Sequence, residues 1–134
     1  MNRLPDARRE KQLGQAMVEF ALVSVLFVTL VVAIADFARL YFTYSAMNNA
    51  AREGTRYGVV NPNDTDGIRN RATSLLITFA ENPTVDISFP DGTRNVGARV
   101  RVAIAADFEM LVVPIPPMRI NADSTMRIEY VPVP

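Results

Sequence analysis

Few residues in this chain could do chemistry, and the most conspicuous is Glu19, in the stretch Gly14-Gln15-Ala16-Met17-Val18-Glu19-Phe20. Glu19 is the one ionisable residue in an apolar run from Ala16 to Ala35. A carboxylate in hydrocarbon is expensive to keep, so one placed there points to a function or a partner. Elsewhere the chemistry is thin. The chain has no Cys and no His, and Lys11 is its single lysine. That removes thiol nucleophiles, Ser–His and Cys–His dyads, Cys/His zinc sites and disulfides. An enzyme would have to work with carboxylates, hydroxyls and Arg alone, so the expectation is a non-enzyme with no metal and no cofactor. The 14 basic and 14 acidic residues give a formal net charge of zero. A nucleic-acid surface would need a basic excess on one face, so no nucleic-acid partner is expected.

The element that must position Glu19 is a helix. From Ala16 to Ala35 roughly twenty apolar residues, at ~1.5 Å each, match the ~30 Å hydrocarbon thickness of a bilayer. Arg3, Arg8, Arg9 and Lys11 precede this run, whereas the far flank carries the more scattered Arg39 and Arg52. Positive flanks stay cytoplasmic. The reading is therefore a single pass through the cytoplasmic membrane, N terminus inside and C-terminal portion outside, with membrane lipid as a partner. Three readings of the start are open. The chain could be an uncleaved signal anchor, or a secretory protein cut at Ala33-Ile34-Ala35 before Asp36. The secretory reading suffers from an apolar region longer than the usual ~7–15 residues. The third reading is a leader of residues 1–14 cut after Gly14, which leaves Gln15 first and Glu19 fifth.

Gly14 followed by Gln15 through Phe20 looks like a type IV prepilin processing site. The longer run through Asp36-Phe37-Ala38-Arg39-Leu40-Tyr41 and Asn49-Ala50-Ala51-Arg52-Glu53-Gly54-Thr55-Arg56-Tyr57 resembles the TadE-like family of pseudopilins, minor components of the tight-adherence (Tad) pilus and secretion machinery. The resemblance covers about a third of the chain. It implies a minor pseudopilin cleaved between Gly14 and Gln15 by a prepilin peptidase and contributing to pilus initiation or assembly. The implied partners are that peptidase, the major pilin, other pseudopilins and the inner-membrane assembly platform, with the extracellular pilus as a further location. Glu19 and Phe20 take the assembly and docking role. The free amine of a processed Gln15 would be a cation at the membrane edge, and Glu19, one turn along, could neutralise it on its own or a neighbouring helix.

Beyond the apolar run, Asp36 to Tyr57 contains no Pro and no Gly before Gly54, so the helix is expected to persist from Gln15 to about Gly58. That gives a membrane and extension segment of residues 15–60, ended by Gly58 and Pro62. Tyr41, Phe42 and Tyr44 fall where an aromatic belt meets headgroups. Asp36 and Arg39 can pair across one turn. Ala46, Ala50 and Gly54, four apart, permit close helix approach, either to another subunit or as a seat for the C-terminal domain.

Residues 61–134 read as an exported domain. In Asn61-Pro62-Asn63-Asp64-Thr65-Asp66-Gly67, one of Asp64, Thr65 or Asp66 can cap a helix. A calcium loop fails here, because Pro62 and Thr73 occupy ligand positions. Ile68, Ala72, Leu75, Leu76 and Phe79 follow helical spacing. After Pro83 the period becomes two: Val85, Ile87 and Phe89; then Val96 to Phe108; then Ile120 to Tyr130. Arg99 and Arg101 could hold an anion or form a solvated face. The apolar Leu111-Val112-Val113-Pro114-Ile115-Pro116-Pro117 segment could contact a partner or pack beneath the sheet. The fold class is α+β: a long N-terminal transmembrane helix extending into a small pilin-like domain with one short helix and about three antiparallel strands. The alternative to a pilus component is a signal-anchored extracytoplasmic binding module or envelope subunit.

Overall fold

The computed structural model describes residues 7–76, 81–112 and 115–130, with side chains of the first helix described from Leu13 onward. Helix α1 runs Ala7–Val60, α2 Thr65–Ser74, and strands β1 Glu81–Ser88, β2 Arg99–Phe108 and β3 Met118–Arg127 follow. The strands form one antiparallel sheet in the order β1-β2-β3. The α+β arrangement expected from the change of period, with a long apolar helix, one short helix and three strands, is the one observed.

Helix α1 has 54 residues, about 80 Å at the standard rise. It begins at Ala7, not at Gln15 as expected: the leader residues from Ala7 onward continue the same helix through Gly14. Ala, Arg, Glu, Lys, Gln and Leu are all good helix formers, and after Pro5 the single Gly14 is too small a cost to stop them. Gly58 lies inside the helix, which stops at Val60 just before Asn61-Pro62. Asp64 then caps α2 by accepting from the Gly67 N–H at 2.9 Å. The Tyr57 hydroxyl donates to the same carboxylate at 2.7 Å, which ties the end of α1 to the start of α2.

Helix α2 is shorter than its apolar spacing suggests. It ends at Ser74, Leu75 is 45% exposed beyond it, and Phe79 lies outside the described residues. Strand β1 starts at Glu81, ahead of Pro83, where pairing was not expected. The register with β2 shifts between Glu81 and Thr84, and Asn82 has φ 46°. An edge strand tolerates a proline at such an irregularity, because the N–H it lacks has no ladder partner to serve.

The core lies between one face of the sheet and the two helices. Val102, Ile104 and Ala106 of β2 and Ala122 of β3 pack with Met47, Ala50 and Ala51 of α1 and Ile68 and Ala72 of α2. A second cluster, Val59, Ala98, Val100 and Ile128, closes the far end. Val96 and Tyr130, expected on the inner face, are exposed at 64% and 58%. Both lie outside the strands, where alternation no longer aims a side chain inward. Strand β2 runs antiparallel to α1: Val100 neighbours Val59, and Phe108 lies under Arg39, 5.5 Å from guanidinium carbon to ring centre.

Candidate functional site: one helix with two surfaces

The N-terminal part of α1 carries mostly apolar side chains on its surface, many of them large. Met17, Phe20, Leu22, Leu26, Phe27 and Ile34 are each at least 61% exposed. Helix α1 is long and apolar enough to cross a membrane, and its most apolar window has none of its residues buried within the chain. An exposed apolar surface of this extent in water signals a binding or membrane surface. Glu19 and Phe20 are both exposed on it. Gly14, Gln15, Val18, Glu19 and Leu22 line one shallow groove, so Gln15 and Glu19 share a helix face one turn apart. Nothing lies within 4 Å of the position a Gly14 Cβ would take, so the backbone there is open to an approaching molecule.

From Asp36 the surface changes. Asp36, Thr43, Met47, Ala50, Ala51 and Thr55 are all 2% exposed or less. The small-residue line Ala46, Ala50 and Gly54 is covered by this chain's own domain. A Cβ on Gly54 would sit 3.0 Å from the Ala72 Cβ and 3.3 Å from the Ile68 carbonyl oxygen, so α1 and α2 approach there as closely as a glycine allows. The Thr55 hydroxyl lies 2.7 Å from the Ala51 carbonyl and 3.2 Å from that of Ser124, which anchors β3 to the helix. Tyr41, Phe42 and Tyr44 lie on the exposed side at 67%, 64% and 47%. Phe37, Leu40, Tyr41 and Tyr44 form an apolar groove with Ile120 of β3.

The residue that sequence reasoning undervalued is Asp36. It pairs with Arg39 at 3.3 Å, as the spacing suggests. It also accepts the backbone N–H groups of Leu111 and Val112, at 3.3 and 2.9 Å, across 75 residues of chain. This buried carboxylate therefore clasps the loop between β2 and β3. A partial signal was available, since Asp36 is the first charge after the apolar run. What it holds depends on contacts remote in sequence.

The strand arginines are committed to neighbours. Arg99 forms a two-point pair with Asp91, with its Nη2 2.7 Å from Oδ1, and Arg101 pairs with Asp123 at 3.1 Å. Asp91 is held below the usual carboxylate range by the Arg99 side chain and then by the Arg99 backbone N–H. Asp64 is likewise lowered, first by the Gly67 N–H and then by the Tyr57 hydroxyl.

No curated protein and no solved structure matches the chain. The family model for TadE-like proteins matches residues 14–56. The match opens at the glycine ahead of Glu19, crosses the exposed apolar surface and Asp36, and ends within the buried seat of the domain; over Gly14 to Arg56, about a third of its length, the chain is similar to TadE-like proteins.

Proposed function

We propose that this protein is a minor pseudopilin of a Tad-type pilus or secretion system, anchored in the cytoplasmic membrane and without catalytic activity of its own. The observation that carries the reading is the coincidence of the family match with a fully exposed apolar helix opening at Gly14 and Glu19. A prepilin peptidase would cut between Gly14 and Gln15. The new Gln15 amine and the Glu19 carboxylate would then lie about 6 Å apart along the axis, on one helix face. In low dielectric such charges attract strongly when brought together, and either separates from its partner only at high cost. Glu19 of one subunit, paired with the amine of its neighbour, would set the axial register as the exposed helices pack. The major pilin, other pseudopilins and the membrane platform are the partners this reading requires.

Sequencing the N terminus of the membrane-extracted protein tests the proposal. Gln15 as first residue supports it; Met1 or Asp36 overturns it in favour of a plain anchor or a secreted module. Glu19→Ala should leave membrane integration intact and hinder incorporation into pili or secretion complexes. Unchanged incorporation would remove the role assigned to Glu19.

A further inference from the structure

The two ends of the sheet differ in chemistry. The β1–β2 connection carries Asp91 and Arg94, and its residues from Pro90 to Gly97 are exposed. The β2–β3 connection opens on the exposed Glu109 and is apolar from there on: no charged residue occurs from Met110 to Met118, and Leu111, Val112 and Ile115 are 76%, 48% and 44% exposed. Three large aliphatic side chains therefore face outward at one end of the domain, instead of packing beneath the sheet. Strand β2, of ten residues, separates this end from the charged turn by about 33 Å.

The position of this loop along α1 is set by Asp36, which receives the N–H groups of Leu111 and Val112. From Gln15 to Asp36 the helix rises about 32 Å, close to the ~30 Å hydrocarbon thickness of a bilayer. The clasp thus holds the loop at the end of the apolar run, the level at which a bilayer-spanning α1 would leave the hydrocarbon. It also solves two problems of that location. Asp36 is shielded to 2% exposure and satisfied by two N–H donors and Arg39. Two backbone donors of the loop are satisfied in turn, as a segment bordering lipid requires. Phe37, Tyr41 and Phe42, all at least 64% exposed, surround the same level of the helix with aromatic rings suited to the headgroup zone.

We infer that the β2–β3 loop docks into the membrane leaflet on the domain's side, inserting Leu111, Val112 and Ile115 beside α1, with lipid as the occupant of this apolar surface. The inference rests on reading α1 as a membrane span. Docking at a second point fixes the domain's tilt and azimuth about α1, so the polar turn at Asp91 points away from the bilayer. Extraction of the subunit from the membrane then requires the loop as well as the helix to leave lipid.

The absence of cysteine makes the test direct. Full-length protein carrying Leu111→Cys, Ile115→Cys, Thr93→Cys or Val28→Cys is labelled with an environment-sensitive fluorophore. Each is reconstituted into phosphatidylethanolamine/phosphatidylglycerol vesicles with spin-labelled acyl chains. The expected result is a blue-shifted, strongly quenched signal at Leu111 and Ile115 under a shallow spin label, deep quenching at Val28, and neither effect at Thr93. Adding Asp36→Asn should return the loop labels toward the Thr93 signal while Val28 stays quenched. Loop labels that match Thr93 beside a quenched Val28 overturn the docking and leave the membrane span standing. An unquenched Val28 overturns the span, and the docking with it.

Discussion

The two halves of α1 share one backbone and one helical geometry, yet they present opposite surfaces. Before Asp36 the side chains are large, apolar and exposed; after it the inward positions are Ala, Gly, Thr and Met, buried to a few per cent. Among the described residues none buries the apolar window of the first half, so bulk there is free for lipid or other helices. The second half carries α2 and the sheet, and bulk would hold them off. A helix is a rod whose side-chain sizes decide where another element can approach, and here the sizes change at Asp36. The same residue changes the chemistry: the apolar run ends on a carboxylate that grips a distant loop.

Substitutions in the two halves should separate these roles. The largest effect is expected in the core: Ile104→Ala should lower the urea stability of the domain by about 3–4 kcal/mol and leave membrane association unchanged, because the lost contacts are all above Asp36. Leu26→Arg should do the reverse. A charge near the centre of the span is worth about 3 kcal/mol against insertion, so the protein should shift from the membrane to the soluble or degraded fraction. Equal membrane association of Leu26→Arg and the parent chain would break the comparison.

Smaller effects sharpen it. Asp36→Ala removes the acceptor of two backbone N–H groups and should destabilise the domain by about 2 kcal/mol, with faster amide exchange at Leu111 and Val112. Gly54→Ala should cost about 1 kcal/mol despite its better helix propensity, since the added methyl meets the Ala72 Cβ and backbone of α2. Gly58→Ala should cost somewhat less, because the nearest atoms its new methyl meets belong to the side chains of Ile68 and Val100 and not to backbone. The weakest effect is on pH dependence. Asp91 has its folded-state pKa lowered, so its contribution is present above the ordinary value of about 3.9 and is lost as pH falls through the lower folded value. Asp91→Asn should flatten the acid limb of a urea-midpoint profile and leave the neutral region little changed.

Much of the fold was legible because periodicity reports burial. Val100, Val102, Ile104, Ala106 and Phe108 alternate with Arg99, Arg101 and Asp107, and the structure buries that apolar set. The pattern misleads at element ends, where Val96, Leu75 and Tyr130 keep the spacing but leave the regular backbone that would aim them inward. The helix start was missed for a related reason. Charge and Gly14 mark a change of surroundings, whereas backbone conformation follows summed propensity, and one glycine among the good helix formers from Ala7 to Gln15 does not outweigh them.

At the candidate site, the sequence alone determined the length of the apolar run, the isolation of Glu19 within it and the glycine ahead of it. These are one-dimensional facts, and hydrocarbon thickness and helical rise translate them directly into three dimensions. Only the tertiary structure decided what Ala46, Ala50 and Gly54 make room for, since small side chains permit approach without naming the approaching element. It also decided that Asp36 holds residues 111 and 112. That bond joins groups 75 residues apart, and its existence depends on the sheet register and on the antiparallel packing of β2 along α1, which bring the loop to the end of the apolar run.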